Sequence, residues 1–237
     1  MARLIELNAD VGEGWDDAPL FSYVDRVSIA CGGHAGDEKS MLVALSLARD
    51  MGVLPGAHPG YPDRENFGRH PVSAVVGNVR RWIVGQTHEL MWLAEQSGTR
   101  LFHVKPHGAL YNQAAIDEAV ARELIKAMQE LGGLALVCLA GSPLAGWARE
   151  AGLDVLEEAF VDRRYLADGH LAPRNVAGAV VEDPVEAAAQ ARNIAIGGPV
   201  NTLDGGVLKL NADTLCLHGD RKNALDFAQA VAAALDA

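Results

Sequence analysis

Short, nearly continuous apolar runs alternate along this chain with longer segments whose apolar residues recur every three or four positions. The runs predict strands over Leu4–Leu7, Val27–Ala30, Val53–Ala57, Leu101–Lys105, Ala135–Leu139, Val155–Ala159, Ala179–Val181, Val207–Leu210 and Thr214–Leu217. Continuous apolarity marks strands buried on both faces, the condition inside a parallel sheet. The longer segments predict helices over Asp37–Met51, Ala74–Gln96, Asp117–Leu131, Asp183–Ile196 and Lys222–Leu235. Their ends carry stop and start signals. Asp37 and Asp183 suit N-caps, Pro184 suits a first helical position, and Gly52, Gly98, Gly132 and Gly197 end the periodicity.

Alternating strand and helix predicts a parallel sheet wrapped by helices. Seven or eight such units in 237 residues favour an irregular (β/α) barrel of seven to eight mainly parallel strands, one domain over residues 1–237. A doubly wound open sheet is the runner-up. In either case the segments that follow the strands gather at one end, where active sites of such folds lie. Here eight of those segments are polar and glycine-bearing, and they hold His, Asp, Glu, Lys or Arg. That layout reads as an enzyme.

Composition narrows the class. Hydrophobic residues make up 49% and are spread evenly, enough for one sizeable core. The net charge of −11 argues against sequence-independent nucleic-acid binding, which needs a basic surface. An anionic substrate then requires local positive charge, which Arg64, Arg69, Lys105, Arg163, Arg164 and Arg174 can supply from the polar clusters. Cys31, Cys138 and Cys216 lie within apolar runs and form no CxxC pair, so buried free thiols in a reducing compartment are expected. The first residues lead straight into a strand with no secretory pattern, and no apolar stretch approaches the roughly 20 residues of a spanning helix. A cytoplasmic protein without membrane attachment is the expectation.

The clusters offer acid–base, anion-binding and metal chemistry. Asn8, Asp10 and Glu13 follow the first strand as candidate base, ligand or orienting groups, or else form an Asx turn. His34 stands among three glycines before a helix, a weak phosphate-loop signal and a better one for a histidine held over a pocket. With His58 at the end of the third run, Asp10 and His34 make a candidate trio for a divalent metal. The loop Asp63–Arg69, with Arg64 and Arg69, is either a lid over substrate or a solvated turn. Lys105 ends a buried run, where an unpaired ammonium is costly, so it should meet an anion; His107 follows two residues later. His103 reads as an interior histidine and His88 as a helical, structural or exposed one. Glu157, Glu158, Asp162, Arg163 and Arg164 form either an ion-pair network or part of a substrate site. His218 and Asp220 suggest acid–base work or a helix cap.

Six stretches, LNADVGEG, IACGGHAGD, GAHPGYPDRENFGR, HVKPHGALYN, FVDRRYLADGHLAPR and LCLHGD, together resemble the LamB/YcsF family. They run in order from residue 7 to 220. Gly33 departs from the pattern, since a bulkier aromatic residue is expected beside the histidine. The resemblance implies an irregular barrel related to polysaccharide deacetylases. It also implies action with partner subunits B and C in an ATP-dependent 5-oxoprolinase, opening 5-oxo-L-proline to L-glutamate. ATP, with Mg2+, would then be bound, although the chain carries no Walker A loop of its own. Within that reaction Asp10, Lys105, His107, His218 and Asp220 are the expected catalytic groups. Asn8, Glu13, Arg64, Arg69, Glu158, Asp162 and Arg163 are the expected substrate contacts. Two rival readings are a metal-dependent carbohydrate N-deacetylase and a non-catalytic subunit that only presents substrate.

Overall fold

The computed structural model describes residues 3–71, 76–219 and 223–236. Six parallel strands come first: β1 (Glu6–Val11), β2 (Arg26–Ala30), β3 (Leu54–His58), β4 (His103–Val104), β5 (Ala135–Leu139) and β6 (Val155–Phe160). Two short strands follow, β7 (Pro199–Asn201) and β8 (Val207–Lys209), and then β9 (Thr214–His218). The sheet closes in the order β1-β2-β3-β4-β5-β6-β9, because β9 pairs with both β6 and β1. The predicted barrel is therefore present, with seven strands.

Helices α1 (Glu38–Met51), α2 (Val76–Gln96), α3 (Gly108–Ile116), α4 (Glu118–Leu131), α5 (Pro143–Glu150), α6 (Pro184–Ala195) and α7 (Ala224–Leu235) complete the molecule. Their apolar stripes, such as Val120, Leu124 and Met128 of α4, pack into the core. Caps fall where the sequence placed them. Asp37 and Ser40 form a capping box at α1, Asp183 accepts from Val185 N–H at α6, and Gly52 ends α1 in the left-handed region. The predicted helix starts at Ala74 and Lys222 lie outside the described residues.

Four expectations are corrected. The first strand is not Leu4–Leu7 but Glu6–Val11; Leu4 is exposed, and Asn8 and Asp10 lie within the strand. Their polar side chains tolerate the barrel interior because partners meet them there. Leu101–Lys105 shortens to two residues in β4. Val207–Leu210 supplies β8, which pairs antiparallel with β7 outside the barrel, its residues largely exposed. Ala179–Val181 makes only an isolated bridge between Val180 and Arg163. Pairing of β6 with β9 leaves neither segment a place in the barrel.

Two helices carried no readable signal. Helix α3 is apolar on nearly every face, with Ala109, Leu110, Ala114 and Ala115 buried, so it has no amphipathic stripe. Helix α5 is only eight residues long and starts on Pro143. The three cysteines are buried and free. Among the described residues no helix is long and apolar enough to cross a membrane.

Candidate functional site

Register decides what meets at the strand ends. Asp10 stands opposite His218 across β1 and β9, and Ala30 opposite His58 across β2 and β3. Lys105 follows β4 directly, and its N–H donates to Ala57 C=O at 2.8 Å, extending the ladder past the strand. A cavity of about 480 Å³ opens there, lined by Asp10, Glu13, His58, Lys105, His107 and His218 on its floor. Its wall carries Arg69, Arg163 and Arg174, with Phe160, Leu139 and Leu171 as apolar surface.

Lys105 is the hub of the floor. Its buried ammonium lies 2.9 Å from Asp10 Oδ1 and 2.8 Å from Glu158 Oε1, and 3.3 Å from Asn8 Oδ1. Burial alone would neutralise it, but Asp10 and Glu158 outweigh that and hold its pKa well above the usual lysine value. Burial likewise opposes the Asp10 charge, yet His58 and Lys105 hold that carboxyl well below its usual range. Glu158, fully enclosed, also accepts from Tyr111 Oη at 2.9 Å, and Asn8 donates to Thr214 Oγ1. Asn8 and Glu158, expected as substrate contacts, therefore sit beneath the cavity and support Lys105. The neighbouring Glu157 turns to the opposite face of β6, where it pairs with Arg149 at 2.6 Å.

A second group surrounds His58. Its Nδ1–H donates to the Lys105 carbonyl at 2.7 Å, so Nε2 faces inward, 3.4 Å from Asp10 Oδ2 and 3.8 Å from Glu13 Oε1. His107 Nε2–H donates to the Phe67 carbonyl at 2.9 Å, which turns Nδ1 inward, 3.0 Å from His58 Nε2 and 3.2 Å from Glu13 Oε1. His34 lies behind them, stacked on His107 at 3.5 Å, and its Nε2–H reaches Glu13 Oε1 at 2.8 Å. Burial lowers the His34 pKa to about 3 and lowers that of His107. For His58 burial is outweighed by Asp10 and Glu13, which raise its pKa. For Glu13, the contacts with His107 and His34 outweigh burial and lower its pKa. Glu13, His34, His58 and His107 thus present ligand atoms within 4.8 Å of one another. Asp10, placed with His34 and His58 in the sequence reading, groups instead with Cys216 and His218.

The Asp63–Arg69 loop closes this corner. Phe67 is the one non-glycine residue with positive φ among the described residues, at 55°, and the strain aims its carbonyl at His107. Gly68 backs onto the His34 and His107 rings, where a Cβ would fall 2.8 Å from His34 Cβ. Arg69 crosses the Phe67 ring and reaches the cavity. Arg64 does not. Its guanidinium donates to the carbonyls of Gly32 and Gly36, clamping the His34 loop from outside. Gly33, lacking the expected aromatic, leaves room that Gln86 fills while binding both backbone groups of Gly60. At the N-terminus of α1 the amide Ser40 N–H is taken by Asp37.

On the opposite side His218 Nδ1 donates to Asp162, 2.9 Å and 3.0 Å from its two oxygens, and stacks on Phe160. Asp162 therefore orients His218 and leaves Nε2 to the cavity. Arg163 is buried, with one Nη donating to Ala172 C=O at 2.6 Å and Nε without a partner. Burial and then the adjacent Arg174 lower its pKa to about 10. Arg164 points away and pairs with Glu186 on α6. His103 is interior, against Ser28 and Arg26, and His88 is exposed. Asp220 lies outside the described residues. Tyr111 and Phe67 were not singled out in the sequence; Tyr111 falls one helical turn after His107, a spacing that points both at one site.

Asp17 props the turn after β1 by accepting Gly12 N–H at 2.7 Å. Burial, with Glu13 and Asp16 adding repulsion, raises its pKa to about 6. A folded-state pKa above the unfolded one stabilises fully below the unfolded value and loses that contribution as pH rises through about 6. Asp17→Asn should therefore melt about 2–4 °C higher than the parent at pH 7.5 and show no gain at pH 4. Calorimetric melting across that range checks this.

A barrel whose polar strand ends converge on one acid–base and cation-lined cavity defines a pocketed α/β-barrel protein. The chain belongs to the LamB/YcsF family, whose model matches residues 5–237. It is 44% identical over 239 residues to the 5-oxoprolinase A subunit of Heliobacterium modesticaldum, covering 98% of this chain and 94% of the relative. It is also 44% identical over 236 residues to the protein of that name from Methylococcus capsulatus, covering 97% and 91%. The crystal structure of the lactam utilization protein from Thermus thermophilus superposes with a TM-score of 0.91 at 41% identity, covering 98% of this chain and 96% of that one.

Proposed function

We propose that this chain is the A component of an ATP-dependent 5-oxoprolinase, opening the lactam of 5-oxo-L-proline to L-glutamate with partner subunits B and C. The carrying observation is a single cavity whose arginine wall faces a carboxylate–imidazole floor, in a chain whose relatives at 44% identity bear that name. The substrate is a small monoanion with one amide. Arg163, which lines the cavity together with Arg69 and Arg174, suits the carboxylate or a phosphoryl group. The lactam then lies over the floor.

An unstrained five-membered lactam does not open far without coupling, and ATP with Mg2+ supplies that drive by phosphorylating the lactam oxygen. Asp10, kept ionised by His58 and Lys105, accepts a hydrogen bond from the attacking water or the ring N–H. His218, oriented by Asp162, gives a proton to the departing nitrogen, and the γ-glutamyl phosphate so formed is hydrolysed by a second water to L-glutamate and phosphate. Lys105 helps keep Asp10 ionised and pairs with Glu158 beneath it. The donor set fits a carboxylate and a phosphoryl group, and the absence of a Walker A loop is consistent with nucleotide held partly or wholly by subunits B and C.

Mixing this chain with subunits B and C should yield glutamate from 5-oxoproline only when ATP is added. Glutamate formed without ATP would instead favour the deacetylase-like amide hydrolysis that the histidine cluster also suits. Arg163→Met should raise KM for 5-oxoproline by roughly 10- to 100-fold with kcat little changed, since a charged hydrogen bond contributes about 1.5–3 kcal/mol. Steady-state kinetics of the complex read both values.

A further inference from the structure

We infer that Glu13, His58 and His107 form a site for one divalent transition-metal ion, open toward the cavity. The argument starts from where the imidazole protons already are. A carbonyl only accepts, so His58 Nδ1–H is committed to Lys105 and His107 Nε2–H to Phe67. The inward atoms are then His58 Nε2, His107 Nδ1 and Glu13 Oε1, three electron-rich atoms facing one another at 3.0, 3.2 and 3.8 Å. One added proton bridges a single edge of that triangle. Placed between the two imidazoles, it leaves the Glu13 carboxylate against His107 Nδ1 at 3.2 Å. A divalent cation satisfies all three edges together.

The triangle also has the right size. The point equidistant from its three corners lies about 2.0 Å from each, within the roughly 2.0–2.2 Å of zinc–imidazole and zinc–carboxylate bonds. Anchoring of the outer ring N–H on a backbone carbonyl is the usual second support of a metal-bound histidine. Charge agrees: Asp10 and Glu158 share one lysine while Glu13 lies among histidines, so added positive charge is favoured. His34 serves as the support of Glu13 rather than as a ligand. It lies behind the cavity lining, and its Nε2–H donates to the carboxylate. Two nitrogens and one oxygen suit Zn2+, Co2+ or Mn2+ better than Mg2+.

The test needs no substrate, so its outcome is separate from that of the oxoprolinase reading. The full chain, stripped with chelator, is dialysed against Zn2+ and, in parallel, Co2+, followed by metal analysis and visible spectroscopy of the cobalt form. One equivalent should bind, with a cobalt absorption band in the visible. His58→Ala and Glu13→Gln should each weaken binding at least 100-fold while melting as folded proteins. His218→Ala, in the neighbouring Asp10–Cys216–His218 group, should bind as the parent does. No stoichiometric binding by the parent would overturn the inference. So would retention of metal by folded His58→Ala, or loss of it in His218→Ala. Should His58→Ala fail to fold, Glu13→Gln, which keeps the shape of the side chain, carries the decision alone.

Discussion

Lys105→Met is expected to destabilise the protein by about 3–5 kcal/mol and to reduce kcat/KM of the reconstituted enzyme by roughly 10²–10³-fold. Methionine replaces the volume, so the loss is electrostatic rather than a cavity. What remains is two buried carboxylates, Asp10 and Glu158, that were each within 3 Å of the ammonium. Glu158 is wholly enclosed, and its only other described partner is the Tyr111 hydroxyl. It must take up a proton or unfold its surroundings. The double variant Lys105→Met with Glu158→Gln tests that cause directly. It should recover much of the stability, because the uncompensated charge is gone, and recover little activity. If the single variant melts like the parent, the ion-pair hub is not what holds the floor together. Denaturant unfolding and turnover assays measure the two effects.

Gly36→Ala is expected to cost about 3 kcal/mol or more, lowering the melting temperature by roughly 10 °C. Two penalties fall on one position. Gly36 has φ of 84°, where a side chain is strained, and a Cβ there would lie 2.4 Å from the Ala30 carbonyl oxygen. That oxygen belongs to the end of β2 and cannot swing aside as a flexible side chain would. Gly36 also receives Arg64 on its carbonyl and holds the loop that carries His34. Gly14→Ala is the matched control. Its φ is 98°, yet nothing lies within 4 Å of its Cβ, so only the backbone penalty remains. Equal melting of the two variants would show that the contact with β2 carries no weight.

These two positions differ in how visible they are in the sequence. A lysine at the end of an apolar run must be paired, and Lys105 could be singled out on that ground alone. Its partners could not. Glu158 looked like a substrate contact because arginines follow it, but β6 alternates its faces and turns Glu158 into the barrel while Glu157 meets Arg149 outside. Arg64 and Arg69 lie five residues apart in one charged loop, and nothing local tells them apart. The path of the loop over Phe67 sends Arg69 to the cavity and Arg64 to the backbone of the His34 loop. The strained Phe67 was similarly hidden, since positive φ in a phenylalanine is imposed by its surroundings.

By itself the sequence determined the alternation of strands and helices, the caps at Asp37 and Asp183, and the set of reactive residues at the strand ends. Those features depend on neighbours within a few positions, through apolar periodicity and backbone hydrogen bonds to nearby side chains. Tertiary structure alone decided how those residues were grouped. Closure of β9 onto β1 placed Asp10 beside His218, and Lys105 pairs with its carboxylate at 2.9 Å. Glu13 and His107 then joined His58 around one point, their rings fixed by carbonyls from Lys105 and Phe67. The reason is geometric: interatomic distances of 3 Å across a barrel follow from strand register and loop path, which no local window of residues contains.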